Sequence, residues 1–434
     1  MNQLSGPRVC VIGAGPCGLT ALKNLRASGL DNIVCFDEGA AVGGNWVFTD
    51  DPNRMSVYES THIISSRRQS SFDDYPMPLA FPDFPSHRQV RAYFEDYAAH
   101  YGLMPYLQLR HRVDSARRDA DGRWRLRVTG PDGAREEMFD HLMVASGHHR
   151  DPLIPDYPQA FSGETLHSRD FKRADPFRDK RVLVVGGGNS ACDIAVDVAR
   201  VASFVGISMR RPYYIVPKIV FGRPVDVLYA RARKNFPRWF MRMTFGSLLR
   251  LGMGPFEYYG LPSPKAGPFE QHPTLNSRIL DALRHGVVHL RGGIARFTGT
   301  QVHFADGSAE DYDTVIWATG FKPSFPFLDP AITDWDPAKR PPLYLKMMHE
   351  RIPNLFFIGL FQPIGCIWRL ADYQARIAAL QIAGRLARPS DIAARVAHEV
   401  NSPHWNFEQS ARHALEVDAI DFRRELMDEL HKAA

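Results

Sequence analysis

Residues Arg8 to Asp37 read RVCVIGAGPCGLTALKNLRASGLDNIVCFD, and the fold follows from how this stretch is punctuated. Val9 to Ile12, with Cys10 among them, make a short apolar strand that stops at Gly13. Gly13, Gly15 and Gly18 are spaced G-x-G-x-x-G. Pro16 stands at the expected first turn of a helix, where its missing N–H removes no bond. Leu19, Leu22 and Leu25 give that helix an apolar face, and Gly29 is its expected terminator. A second strand, Asn32 to Phe36, leads into Asp37 and Glu38.

The spacing has a chemical reading. Gly13 permits a tight turn, Gly15 lets a pyrophosphate approach the backbone, and Gly18 lets helix and strand pack closely. The helix N-terminus offers free N–H groups and partial positive charge. The acid ending the second strand accepts hydrogen bonds from a ribose diol. An ordinary strand–helix turn that needs glycine for its geometry is the alternative. Two strands, a helix and an acid in sequence favour a dinucleotide site.

The pattern recurs at Lys180 to Arg211. Val182 to Val185 is an apolar strand, and Gly186 to Ala191 reads GGGNSA, a G-x-G-x-x-A turn. Ile194, Ala195, Val198 and Ala199 line one helix face, and Phe204 to Met209 leads to Arg210 and Arg211. Asp37 lies 24 residues after Gly13, and Arg210 lies 24 after Gly186. An acid at that place favours a free ribose, whereas an arginine favours a 2′-phosphate. The first unit therefore suits FAD or NAD and the second NADPH. Two solvated arginines are the bland alternative.

The rest of the chain frames these units. With 434 residues, 44% hydrophobic and 23% charged, it has the composition of a globular protein of two or three domains. A net charge of +5 is modest and argues against a nucleic-acid surface. Cys10, Cys17, Cys35, Cys192 and Cys366 show no C-x-x-C spacing, so reduced structural thiols and a cytoplasmic location are expected. No secretory signal and no membrane span are expected.

Gly43-Gly44-Asn45-Trp46 places two small residues and a ring close behind the acid. Ser65 to Arg68, in the polar stretch Tyr58 to Pro76, offer groups for phosphate or ribose, and a solvated loop explains them equally well. Ser86 is the expected cap of a helix through His100. Leu107–Val113 and Arg123–Thr129 read as strands, followed by His141–Ala145. The apolar cluster from Trp239 to Leu251 is expected to pack on a core rather than on a membrane surface. Asp313–Gly320 and Asn354–Leu360 read as buried strands, and about Leu370 to Leu386 as a helix. His404 and His413 are expected on the surface, and no metal-ligand spacing or Ser/His/Asp arrangement is present.

Phe161-x-Gly163-x-x-x-His167-x-x-x-Phe171-Lys172 resembles the fingerprint of flavin-containing monooxygenases. GAGPCG, GGNW, GGGNSACD, ATGF at Ala318–Phe321 and QAR at Gln374–Arg376 extend the resemblance over about residues 8–380. It implies an α/β fold of two Rossmann-like dinucleotide-binding domains, the NADPH domain inserted into the FAD domain. The expected division is 1–174 for the first part of the FAD domain, 175–285 for the NADPH domain and 286–434 for the remainder. Both return strands, at Asp313 and Asn354, are expected in the FAD sheet.

The resemblance also implies a reaction. NADPH reduces FAD, reduced flavin takes O₂ as a C4a-hydroperoxide, and a soft nitrogen or sulfur nucleophile of a small molecule takes one oxygen. By carry-over, Gly13, Gly15, Gly18, Asp37 (with Glu38 as fallback), Asn45 and Trp46 hold FAD. Gly186, Gly188, Asn189, Ser190, Ser208, Arg210 and Arg211 hold NADPH, with Thr319 and Gln374 also at the cofactors. His167 is implied as a link between domains rather than an acid or base. The family's flavin-side asparagine falls on Ile64, which puts efficient oxygenation of amines in doubt; Ser65 or His62 would have to substitute for it. Baeyer–Villiger oxygenation, an uncoupled oxidase releasing hydrogen peroxide, and a nucleotide-sensing module without turnover are the competing readings. A homodimer is left open.

Overall fold

Both faces of the strand Val9–Ile12 are covered. Val9 and Val11 enter one apolar core, while Cys10 and Ile12 enter another. Side chains alternate across a strand, so an apolar run of this kind belongs in the middle of a sheet. The computed structural model describes residues 6–51, 54–264, 273–336, 339–401 and 414–433. In it Val9–Ile12 runs parallel to Ile33–Asp37 on one side and His141–Val144 on the other. Leu107–Leu109 and Leu355–Phe357 extend this sheet in parallel, and Met348–His349 and Leu343–Tyr344 close one edge in antiparallel pairing.

The helix Pro16–Ala27 lies over this sheet and packs against the helix Ile367–Ile382. Leu19, Leu22 and Leu25 are fully buried between them. The chain reverses at Gly29, whose φ of +83° is easy only for glycine. Helix His87–His100 starts at Ser86 in a capping box: the Gln89 N–H donates to Ser86 Oγ, and the Ser86 N–H donates to Gln89 Oε1. Such caps contribute about 1 kcal/mol. The opposite face of the sheet is covered by a three-stranded meander, Arg112–Arg118, Trp124–Gly130 and Gly133–Phe139. Its third strand was not expected, since GAREEMF buries only Phe139 fully. Arg110, at φ +60°, breaks the expected single strand Leu107–Val113.

A second sheet is wholly parallel, in the order His289–Arg291, Phe204–Ser208, Arg181–Val185, Thr314–Trp317, Glu164–His167. This corrects one expectation. Leu355–Phe357 does return to the first sheet, but Thr314–Trp317 sits inside the second. The reason is burial on both faces. Ile316 feeds one core, and Val315 and Trp317 feed the other. The Asp313 carboxylate accepts the Arg181 N–H at 2.7 Å, which sets the register. The second sheet therefore draws strands from Glu164 to Trp317, beyond the expected 175–285.

The apolar cluster after Ile219 forms helices Val225–Asn235 and Arg238–Met253. Met241, Phe245 and Leu249 pack with Val216 and Val225 in a small core. Trp239, Met243 and Leu251 are exposed on the other side. Among the described residues no helix is long and apolar enough to cross a membrane. All five cysteines are unpaired, four of them buried. His404 and His413 lie outside the described residues.

Candidate active site

At the first glycine turn, backbone atoms approach more closely than any side chain would permit. The Gly13 N–H donates to Phe36 O at 2.8 Å with φ +105°, and a Cβ there would stand 2.6 Å from Ala145 O. A Cβ on Gly18 would stand 1.7 Å from Gly13 O. The Gly43 N–H donates to Ala14 O at 3.0 Å, and a Cβ on Gly44 would lie 3.1 Å from Gly15 Cα. Helix Pro16–Ala27 begins at Gly15 without a side-chain cap. Bare N–H groups and a groove that any Cβ would fill are what a pyrophosphate requires, so this turn fits FAD.

Asp37 closes the turn from the second strand. Its two oxygens accept the N–H groups of Ala14 and Gly39, each at 2.6 Å. Burial pushes its carboxyl above the usual range, and those two bonds oppose the shift. Glu38 makes a half-exposed ion pair with Arg150 at 3.6 Å. Trp46 meets Trp368 edge to face at 5.7 Å, and the Asn45 carbonyl accepts the Val57 N–H at 2.8 Å.

The second turn repeats the construction with one difference. The Gly186 N–H donates to Ser208 O at 2.9 Å with φ +135°, and its Cβ would stand 2.3 Å from Ala318 O. Helix Asn189–Val198 begins at Gly188, again without a side-chain cap. Gly187 lies under the Tyr213 ring, which a Cβ would meet at 2.2 Å. The hydrogen bonds show that Phe36 corresponds to Ser208. Met209 therefore occupies the place of Asp37, and Arg210 that of Glu38. The equal offsets in sequence hid this, because the second connection is one residue shorter. Arg210 remains exposed at the strand end and makes no ion pair among the described residues.

The other expected residues divide into available and engaged. Ser190 is exposed in the first helical turn. Asn189 Oδ1 accepts the Leu275 N–H at 2.9 Å. Arg211 follows Arg210 at the same strand end. Ser208 is buried and donates its hydroxyl to Gly292 O at 2.7 Å. Thr319 donates to Leu153 O. Gln374 is fully buried. Its carbonyl accepts the Gly359 N–H at 2.9 Å, and its amide donates to Leu345 O at 2.8 Å. The side chains of Ser208 and Gln374 are thus held by the protein's own backbone.

The Phe161–Lys172 fingerprint is used for packing. Gly163 lies against the Phe161 ring, and a Cβ there would be 2.5 Å from it. His167 is buried at the end of its strand, where burial holds its imidazole below the usual range. Phe171 stacks on Phe177 at 5.7 Å, and Lys172 Nζ donates to Ser56 Oγ at 2.8 Å.

A cavity of about 950 Å³ joins the two units. Ile64 and Ser65 line it from the first and Asn189 from the second. Ser65 Oγ is 2.8 Å from Ser70 Oγ, and His62 is exposed, with Nδ1 2.9 Å from Ser60 O. Sequence reading missed the remaining walls, among them Tyr214, Tyr229, Cys366, Arg423 and Met427. Arg423 and Met427 share helix Ala419–Leu430, which carries no motif; only Asp418, its cap, marks it in the sequence.

Comparisons with known proteins agree with this geometry. The family described as Flavin-binding monooxygenase-like matches residues 6–433. Flavin-containing monooxygenase 5 of Oryctolagus cuniculus is 35% identical over 98% of this chain and 83% of its own length. Dimethylaniline monooxygenase [N-oxide-forming] 2 of Rattus norvegicus is 32% identical over 98% and 82%. Among solved structures, the S-allyl-L-cysteine S-oxygenase of Allium sativum superposes with a TM-score of 0.74 at 23% identity, covering 99% of this chain and 90% of that one. A flavin-containing monooxygenase from Stenotrophomonas maltophilia gives 0.63 at 25%, covering 87% and 98%. This chain therefore belongs to the flavin-binding monooxygenase-like family and is an FAD-dependent NADPH monooxygenase.

Proposed function

We propose that the enzyme transfers one oxygen atom of O₂ to a soft nitrogen or sulfur atom of a small molecule held in the cavity beside Ile64. The cavity is the observation that carries this reading: it is walled by residues of both units. The unit containing Arg8–Asp37 holds FAD, and the unit built on the second sheet holds NADPH, as two Rossmann-like domains. Bound FAD supplies the chemistry of accepting a hydride and activating O₂. The protein's own residues bind, orient and exclude water. Gly13, Gly15 and Gly18 admit one pyrophosphate, and Gly186 and Gly188 the other. Arg210 meets the 2′-phosphate. Tyr214, Phe245, Leu275 and Ile364 give the cavity an apolar side that suits the carbon body of a sulfide or amine, and Arg68, Arg233, Arg369 and Arg423 line it with charge elsewhere. Five unpaired cysteines fit a reducing, cytoplasmic compartment.

Ile64 is 37% exposed and can only pack. A site that loses a hydrogen-bond donor gives up about 1–3 kcal/mol of stabilisation. A share of NADPH should therefore end as hydrogen peroxide, and Ile64→Asn should lower that share. The decisive experiment supplies NADPH and ¹⁸O₂ with a sulfide, a tertiary amine and a ketone, and reads products by mass spectrometry. Labelled sulfoxide or N-oxide supports the proposal. A labelled ester from the ketone alone would establish Baeyer–Villiger chemistry instead, and peroxide alone an oxidase.

A further inference from the structure

Residues 58–66 run from the first unit toward the cavity, and four of them are bonded to the second unit. Tyr58 Oη donates to Asp193 Oδ2 at 2.9 Å, and Ser60 Oγ donates to Asp197. Lys218 Nζ donates to Ile63 O at 3.3 Å. The Ser66 N–H donates to Asp226 Oδ2 at 2.6 Å. Asp193 and Asp197 lie on helix Asn189–Val198, the helix whose N-terminus faces the second glycine turn. Asn276 Nδ2 donates to the other Asp193 oxygen at 2.7 Å, so Asp193 is held from both sides.

The last two anchors bracket Ile64 and Ser65, the pair that lines the cavity. Both are backbone groups, Ile63 O and Ser66 N, so they place the segment whatever side chains stand between them. Their partners come from the second unit, so the flavin-side wall takes its position from the domain that carries the nicotinamide coenzyme. We infer that Asp226 and Lys218 are positioning residues that set the distance between the two cofactors through segment 63–66, without touching either. Asp226 can serve because its second oxygen accepts the Val227 N–H at 2.8 Å, which holds its carboxylate in place. Lys218 can serve because it stands beside Asp193 and over the Phe84 ring at 5.2 Å.

This rests on the assignment of FAD and NADPH to the two units but not on the identity of the substrate. Anaerobic reduction of bound FAD by NADPH, followed by stopped flow, therefore tests it apart from the oxygenation reading. A small misplacement of reacting groups costs as much as about a hundredfold in rate. In the full-length holoenzyme, Asp226→Ala should lower the limiting reduction rate constant about tenfold or more. FAD content and the dissociation constant for NADPH should stay within about twofold of wild type, because neither glycine turn is touched. Asp226→Asn keeps an oxygen to accept the Ser66 N–H and should recover most of the rate. Lys218→Met should show an intermediate loss. An unchanged rate constant in Asp226→Ala would overturn the inference. So would a loss matched by weaker NADPH binding, which would mean that Asp226 acts on the coenzyme. Should Asp226→Ala fail to hold FAD, Lys218→Met decides: with FAD retained and the rate unchanged, the inference fails.

Discussion

The two glycine turns use the same strand and helix to different degrees of closeness. In the first, the third small residue must be glycine, because a Cβ on Gly18 would sit 1.7 Å from Gly13 O. In the second, Ala191 occupies that place, and its Cβ lies 3.4 Å from where a Cβ on Gly186 would stand. The first turn ends at a half-buried carboxylate that accepts two backbone N–H groups. The second ends at Met209 and an exposed arginine that makes no ion pair among the described residues. One turn is closed by a carboxylate bonded to the protein's own backbone, and the other ends in an exposed cation. The two turns thus share their spacing and differ in the residues that follow the second strand.

The largest effect that would break this comparison is expected from Gly18→Ala. The added methyl forces helix and strand apart, and overpacking of this kind costs about 1–3 kcal/mol or more. The purified protein should carry little FAD, read from the flavin-to-protein absorbance ratio; full flavin content would show that the turn yields. Next comes Arg210→Ala. A charge-assisted bond to phosphate contributes about 1.5–3 kcal/mol, so NADPH should bind roughly tenfold to a hundredfold more weakly. NADH binding should not change, as measured by reduction rate against concentration of each coenzyme. An unchanged preference would place the 2′-phosphate elsewhere.

Asp37→Ala should have a smaller effect. It strands the N–H groups of Ala14 and Gly39, at about 1–3 kcal/mol for a buried group left without a partner. It should lower the melting temperature as well as flavin affinity, whereas Arg210→Ala should leave the melting temperature alone. The smallest change is Ala191→Gly, which makes the second turn resemble the first. It should cost about 1 kcal/mol of helix stability and leave NADPH binding intact. Tighter NADPH binding would show that the alanine is a compromise.

Much of this was legible because it is local. The strand Val9–Ile12, its helix and the capped helix at Ser86 follow from neighbouring residues and appear where expected. The misplaced elements depend on partners far away in sequence. Thr314–Trp317 is apolar on both faces and would suit the middle of either sheet; the bond from Arg181 to Asp313 decides which. Ser208 and Gln374 look polar and available in sequence, yet Gly292 and Gly359 take their side chains. Around segment 58–66 the sequence leaves ligand contact and a solvated loop equally open, because Asp193, Lys218 and Asp226 lie far along the chain.

By itself the sequence determined that two strand–glycine turn–helix units exist, that an acid follows one and an arginine the other, and that the chain resembles flavin-containing monooxygenases. These depend on backbone sterics and charge, which act over a few residues. Only the tertiary structure decided the register that puts Met209, not Arg210, opposite Gly186. It alone brought Ile64 and Asn189 to one cavity and tied the wall of that cavity to the second unit. The register rests on the bond from the Gly186 N–H to Ser208 O, and the ties of the wall rest on bonds between residues more than a hundred positions apart, such as Ser66 to Asp226; no spacing along the chain encodes either.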